Sequence, residues 1–188
     1  KDLPIVTQVS RFDRWKDPEG VIEAFKIAQE DIDATLVLLG SIATDDPEGE
    51  QVYQSLLDSQ EERIIILAKE DTALVNALQS RSAVVLQKSI REGFGLTVAE
   101  AMWKGTPVIG GDVGGIKYQI EDGVNGYLVS SIPEAAEKII QLVENPALRE
   151  EMGQKARESV KENFLLIRLL EQYLDLLNAF ETSYSYVG

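Results

Sequence analysis

The stretch Arg91-Glu92-Gly93-Phe94-Gly95-Leu96-Thr97-Val98-Ala99-Glu100-Ala101-Met102-Trp103-Lys104-Gly105-Thr106-Pro107-Val108-Ile109-Gly110 sets the reading of the whole chain. Two glycines flank Phe94, where backbone N–H groups can approach a ligand with no Cβ in the way. A helix begins after them. Its first turn leaves N–H groups without intrahelical partners at the positive end of the helix dipole, which suits an anion. Gly105 is a good residue to close that helix, and Pro107 leads into a short apolar strand. Glu92 and Glu100 bracket the glycines with seven residues between them. Each acid has two readings. Glu92 is either a solvated loop acid or a ligand-facing one. Glu100 either completes a Thr97-x-x-Glu100 capping box or faces a ligand.

Outward from this stretch, short apolar strands alternate with helices. Residues 5–9 read as a β-branched strand. Asp17 as N-cap and Pro18 as first helical residue start a helix to about Gln29, with Val21, Ile22, Phe25 and Ala28 on one face. The loop between carries Arg11, Arg14 and Lys16 at the carboxyl end of a strand, where ligands bind in open parallel sheets. By themselves these cations also fit a solvated turn paired with Asp13 and Asp17. Residues 35–40 form an almost unbroken apolar run, suited to a strand covered on both faces. Asp45-Asp46-Pro47 caps a helix through about Leu57. Residues 63–68 make a third strand, Asp71 caps a helix over 72–79, and residues 83–86 make a fourth strand. Beyond the central stretch, the Gly110–Gly115 segment leads to a short helix through Ile120, and an Asn125-Gly126 turn precedes a strand at 127–129. Pro133 and Pro146 open helices to about Glu144 and Glu162. Leu165, Leu169, Tyr173, Leu176 and Phe180 mark a final amphipathic helix. Residues 181–188 carry no periodic signal and read as a frayed terminus.

This alternation predicts an α/β fold: a Rossmann-like parallel sheet of about six strands with helices on both faces. The Gly-x-Gly-x-x-Gly fingerprint after the first strand is missing, which argues against a dinucleotide enzyme. At 188 residues the chain can bury one full core. A formal charge of −14 argues against nucleic acid or an anionic membrane as partner. No run approaches 18 apolar residues. The opening Lys1-Asp2-Leu3-Pro4 lacks signal-peptide form, so the expected location is cytoplasmic. The chain has no cysteine and no histidine. A Ser-His-Asp triad, a His base and a His-ligated zinc are therefore excluded within it, and its chemistry must rest on carboxylates, Lys, Arg and backbone dipoles.

Taken whole, the Glu92–Glu100 stretch resembles the Glu-x₇-Glu motif of the family 4 retaining glycosyltransferases, which have the GT-B architecture. Arg11 and Lys16 are similar to the family's Arg-x₄-Lys pair. Gly114-Gly115 and the Asn125-Gly126 turn match it as well. The strings Arg11–Pro18 and Ala43-Thr44-Asp45-Asp46-Pro47-Glu48-Gly49 look most like the glycosyl-transferring trehalose synthases within that family.

The resemblance implies that Arg11 and Lys16 grip the diphosphate of a nucleotide-sugar. It implies that Glu92 contacts donor-sugar hydroxyls and that Glu100 holds the ribose. Gly93, Phe94, Gly95, Leu96 and Thr97 would face sugar and diphosphate. Gly40, where many relatives have a Gly-x-Gly turn and this chain reads Gly40-Ser41-Ile42, would lie against the donor, and Lys69 near the base. The donor would be UDP- or ADP-glucose, with no cofactor or metal required. Residues 1–163 would form the donor-binding domain, and a helix at 164–180 would either cross to an N-terminal acceptor domain preceding Lys1 or cover this domain's own sheet. On this reading the isolated chain binds donor and transfers little. Two alternatives remain. One is a stand-alone scaffold or binding module that keeps the fold. The other is the donor domain of a glycogen- or sucrose-synthase-like transferase.

Overall fold

A computed structural model describes residues 3–41 and 47–184. Six strands form one parallel sheet: β1 Ile5–Val9, β2 Thr35–Gly40, β3 Ile64–Ala68, β4 Val84–Gln87, β5 Val108–Gly111 and β6 Tyr127–Val129. Their order is β3-β2-β1-β4-β5-β6. Between them run α1 Pro18–Ala28, α2 Pro47–Leu57, α3 Thr72–Arg81, α4 Leu96–Trp103 and α5 Ile116–Gln119. The helices α6 Ile132–Glu144, α7 Pro146–Asn163 and α8 Leu166–Tyr184 follow. This is the doubly wound α/β fold expected from the alternation. The proposed Asp45-Asp46 cap of α2 lies outside the described residues.

Alternate residues of each strand serve opposite faces of the sheet. Leu36 and Leu38 of β2, with Val6, Ile64, Ile66, Val84 and Leu86, pack under Val21, Ile22 and Phe25 of α1 and Ile139 and Leu142 of α6. Val37 and Leu39 of the same strand turn the other way, onto Leu74, Val75 and Leu78 of α3. Further along that second face, Val85 and Val108 meet Val98, Ala101 and Met102 of α4 and Ala156 and Val160 of α7. Burial on both sides explains why β2 reads as a continuous apolar run rather than an alternating one.

Local capping follows the residue chemistry. Asp71 accepts from the Leu74 N–H at 2.9 Å to start α3. Ser131 and Glu134 form a reciprocal capping box at α6, and Asn145 caps α7. Thr97 and Glu100 form no such box. Gly95, with φ +83°, is the N-cap of α4, so Thr97 already lies inside the helix and no side chain caps its start. Gly105 closes α4 in the left-handed region, φ +78°.

The last helix departs from one of its two sequence readings. Leu166, Ile167, Leu169, Leu170, Tyr173, Leu174, Leu176, Leu177 and Phe180 are all exposed, so α8 does not cover this sheet. It also runs past Phe180 to Tyr184, because Glu181 to Ser183 include no Gly or Pro to stop it.

The contact of α4 with α7 depends on backbone-to-backbone approach. A Cβ at Gly153 would sit 2.0 Å from the Gly105 carbonyl oxygen. Neither atom belongs to a flexible side chain that could swing aside. Gly153→Ala should therefore destabilise the domain by about 1–3 kcal/mol, the usual cost of overpacking. Urea unfolding at neutral pH measures this, and an unchanged midpoint would show that the helices can separate freely.

Candidate active site

The strand order reverses between β1 and β4, which opens a crevice at their carboxyl ends. Two loops line it: the one after β1, which ends in a 3₁₀ turn at Arg14–Lys16, and the one from Gln87 into α4. They are tied together by ion pairs. Lys16 Nζ lies 2.5 Å from Glu92 Oε2, with both side chains largely buried. Lys88 Nζ pairs with Asp17 Oδ2 alongside it. The Ile90 N–H donates to the Trp15 carbonyl at 2.8 Å, and the Arg91 guanidinium stacks 4.2 Å over the Trp15 ring. Gln8, at the end of β1, donates to the Lys16 carbonyl at 2.7 Å.

Glu92 is held on several sides. Its Oε2 is approached by Gln87 Nε2 and Ser89 Oγ, both at 3.4 Å. Its Oε1 accepts from the Gly93 N–H at 3.1 Å. Behind this loop stands the Gly114-Gly115 pair. A Cβ at Gly114 would fall 1.8 Å from the Glu92 carbonyl oxygen, and the Gly115 N–H donates to the Gly93 carbonyl at 2.6 Å. Gln119 Nε2 donates to the Phe94 carbonyl. Thr97 Oγ1 donates to the Val9 carbonyl at 3.2 Å, which sets the uncapped start of α4 directly beside the end of β1.

Two cavities open here. One, of about 350 Å³, is lined by Ser10, Arg11, Lys16, Gln87, Glu92, Phe94, Gly95, Leu96 and Thr97. The other, of about 540 Å³, shares Ser10 and Thr97 with it and extends past Gly40, Ser41 and Lys69 to Asp71 and Val75. The first gathers two cations, one carboxylate and a helix N-terminus. The second is broader, with Leu39 and Val75 in its wall beside Lys69, Asp71 and Thr72. Cations beside a helix N-terminus suit an anionic group in the first of them. Among the described residues no group of three or more His, Cys, Asp or Glu side chains is placed to hold a metal ion.

Most of the residues picked out by sequence converge. Arg11, Lys16, Glu92, Phe94, Gly95, Leu96 and Thr97 share the first cavity, and Gly40 and Lys69 line the second. Gly93 lies between Glu92 and Phe94, with its N–H on Glu92. Arg11 is exposed and pairs with Asp13 at 3.4 Å. Arg14 pairs with Glu48 at 3.5 Å on the surface, away from the cavities. Glu100 lines neither cavity. It sits one turn on from Thr97 and accepts from Gln79 Nε2 at 2.9 Å, while Gln79 Oε1 accepts from Lys104 at 2.6 Å. Asp17, Lys88, Gln87 and Gln79 went unnoticed in the sequence as site residues. Only the rule that strand ends carry function could have pointed to Gln87 and Lys88.

A Rossmann-like half-domain with its ligand crevice at the β1/β4 reversal is the architecture of one half of a GT-B glycosyltransferase. The family model of the glycosyl transferases group 1 matches residues 1–159, and the chain belongs to that family. It is 48% identical over 184 residues to the trehalose synthase of Pyrococcus horikoshii, covering 95% of this chain and 44% of that protein. It is 46% identical to the trehalose synthase of Rubrobacter xylanophilus, covering 93% and 43%. Among solved structures, the sucrose-phosphate synthase of Thermosynechococcus elongatus superposes with a TM-score of 0.82 at 27% identity, covering 97% of this chain and 46% of that one. Staphylococcus aureus TarM, in a complex that includes UDP, superposes at 0.77 and 30% identity, covering 94% and 36%. The chain thus spans less than half the length of these relatives.

The rim of the second cavity carries a titration signature. The Asp71 carboxyl is held below its ordinary value, first by the hydrogen bond from Lys69 Nζ and then by the Leu74 N–H. The folded chain therefore takes up this proton less readily than the unfolded one. The resulting stabilisation is full above the ordinary carboxylate value and fades as pH falls through the folded value. Asp71→Asn keeps the cap but removes the charge. It should flatten the acid limb of the stability curve below about pH 4, as read by urea unfolding between neutral and acid pH. An unaltered acid limb would mean that Lys69 contributes nothing through Asp71.

Proposed function

We propose that this chain is the donor-binding half of a retaining hexosyltransferase that moves glucose from UDP- or ADP-glucose onto free glucose to form trehalose. The observation that carries the reading is the Lys16–Glu92 pair, set beside Arg11 and the uncapped start of α4 in one cavity at the strand-order reversal. The similarity to proteins named trehalose synthase supports the sugar and acceptor. The UDP in the TarM complex supports a nucleotide donor.

In the proposed reaction the anomeric C1–O bond to the diphosphate breaks, and a new C1–O bond to the acceptor hydroxyl forms on the same face. Charge grows on the departing diphosphate while the sugar approaches an oxocarbenium ion. Arg11, Lys16 and the N–H groups of Leu96 and Thr97 would oppose the growing negative charge, where each such donor is typically worth about 10²–10³ in rate. Glu92 would hold sugar hydroxyls, and its carboxylate would favour the developing cation. The departing phosphate would take the acceptor's proton, so no His base is needed. The second cavity would take ribose and base, between Gly40 and Lys69. Glu100 would reach the ribose by leaving Gln79. Because the chain spans under half of its relatives, the reading assigns it donor binding and leaves turnover to the whole enzyme.

Calorimetric titration with UDP, ADP and their glucose conjugates tests this directly. Arg11→Ala and Lys16→Ala should each weaken nucleotide binding about 10–100-fold, the range for a charge-assisted hydrogen bond. Binding that neither substitution touches, or no binding to any of the four compounds, would remove the donor reading.

Glu92 gives a second, opposite-signed test. It pairs with Lys16, so a free nucleoside diphosphate would compete for that ammonium. Glu92→Gln should tighten UDP binding by about threefold to tenfold, the scale of a partly buried charge contact. The same change should erase the extra affinity of UDP-glucose over UDP. Weaker UDP binding in this variant would show that Glu92 does not restrain Lys16.

A further inference from the structure

We propose that Lys88, acting through Asp17, is a positioning residue for Lys16; the inference rests on the reading of Lys16 as a diphosphate ligand. Among the described residues Asp17 is the only non-glycine in the left-handed region, φ 49°. That conformation is held at both ends. The Asp17 N–H donates to the Arg14 carbonyl at 3.1 Å, closing the 3₁₀ turn. Its Oδ1 accepts from the Gly20 N–H at 3.2 Å, opening α1. One residue therefore ends one helical segment and begins the next, and the peptide that joins it to Lys16 has its direction set by that double duty.

The carboxylate has a seat built for it. A Cβ at Gly20 would lie 2.4 Å from Asp17 Oδ2, so glycine there leaves the carboxylate room in this position. Among the described residues Lys88 is the cation in that seat, and its ammonium pairs with Oδ2. Side-chain exposure is 12% for Lys88 and 17% for Asp17, low enough that water screens the pair weakly. Lys88 reaches across from the far loop, 71 positions along the chain. It is not among the residues lining the cavity that holds Lys16 and Glu92.

The two pairs run in opposite senses. Lys16 reaches from the first loop to Glu92 on the second, and Lys88 reaches from the second loop to Asp17 on the first. Were Glu92 the only tie, any ligand that drew Lys16 away from it would release the first loop. Beside the Ile90–Trp15 hydrogen bond and the Arg91–Trp15 stack, which hold the loop one residue earlier, the Lys88–Asp17 pair keeps the residue next to Lys16 in register while Lys16 changes partner. Loss of Lys88 leaves a largely buried carboxylate in a conformation that disfavours most residues, and the Lys16 backbone relaxes with it.

UDP and ADP are titrated calorimetrically into the full chain carrying Lys88→Met, Lys88→Arg, Lys16→Ala, and Lys88→Met with Lys16→Ala. Lys88→Met should weaken nucleotide binding about tenfold, and Lys88→Arg should restore it to within about threefold. In the Lys16→Ala background Lys88→Met should cost nothing more, because its effect passes through Lys16. Fully additive losses would make Lys88 a direct ligand and overturn the positioning role, as would unchanged binding in Lys88→Met. Should Lys88→Met fail to fold, Asp17→Asn carries the same cycle, since Asn tolerates the left-handed conformation and still caps α1. A weakened Lys16→Ala beside an unaffected Lys88→Met sinks this inference alone. Unaffected binding in Lys16→Ala sinks the donor reading beneath it.

Discussion

The structure depends on one contact that no local rule provides: Lys16 on Glu92, joining the loops after β1 and β4. Two largely buried charges are unfavourable apart, since each loses water, and become tolerable only when paired and further hydrogen-bonded. The rest of the crevice supplies those conditions. Gln87, Ser89 and the Gly93 N–H surround the carboxylate, and Gln8 fixes the backbone from which Lys16 projects. The sheet order makes the meeting possible. β1 and β4 are hydrogen-bonded neighbours, Val6 beside Val84 and Thr7 beside Val85, so their carboxyl ends emerge side by side although Lys16 and Glu92 lie 76 positions apart along the chain. Helices fill both faces elsewhere along the sheet and leave this end open.

Glycine then sets how closely the loops can lie. The Glu92 carbonyl rests where a side chain of residue 114 would otherwise be, and the Gly93 carbonyl presses toward Gly115. Gly95 takes the positive φ that turns the loop into α4 without an N-cap side chain. The consequence is chemical as well as geometric. A Ser or Asp cap would occupy first-turn N–H groups of the helix, whereas Gly95 leaves its start without a side-chain cap at the wall of the cavity that Arg11 and Lys16 also line. The loop's glycines and the helix's anion preference are parts of one arrangement.

Much of this was legible in the residues. The β2 run and the caps at Asp17 and Asp71 are local signals with direct physical causes, and they fall where the structure has them. Arg11, Lys16, Glu92 and the Phe94–Thr97 segment could be grouped because the motif carries them together. The capping reading of Thr97-x-x-Glu100 could not be told from its alternative, because that spacing is also what two successive positions on one helical face look like. The true N-cap was fixed by the positive φ of Gly95, a backbone property that the string shows only as a glycine. Lys88 on Asp17 and Gln79 on Glu100 were not legible at all. Each joins loops or helices far apart in sequence, and nothing in a Lys or a Gln by itself says which distant acid it will meet. The bare apolar face of α8 likewise reads as amphipathic from sequence, but periodicity does not tell whether a helix lies on its own sheet.

The overall charge of −14 and an anionic ligand look incompatible until the cations are placed. Arg11, Lys16, Lys69 and Lys88 all gather at the carboxyl end of the sheet, around the two adjoining cavities or just behind them. Every one of them has an acid at hand, respectively Asp13, Glu92, Asp71 and Asp17. Among the described residues these four pairs are therefore close to neutral together and do not make the kind of basic patch that would attract polyanions indiscriminately. At physiological salt the field of distant surface acids is screened beyond about 8 Å, so a bound diphosphate would respond chiefly to the nearest cations and helix N–H groups. On the proposed donor reading, selectivity would come from exchange. An anion would draw Lys16 from Glu92, and a ligand that brings hydroxyl donors would compensate Glu92 for the ammonium. A nucleotide alone supplies the first half of that exchange. A nucleotide-sugar supplies both, which is a physical reason for the acid and the base to be placed within reach of each other.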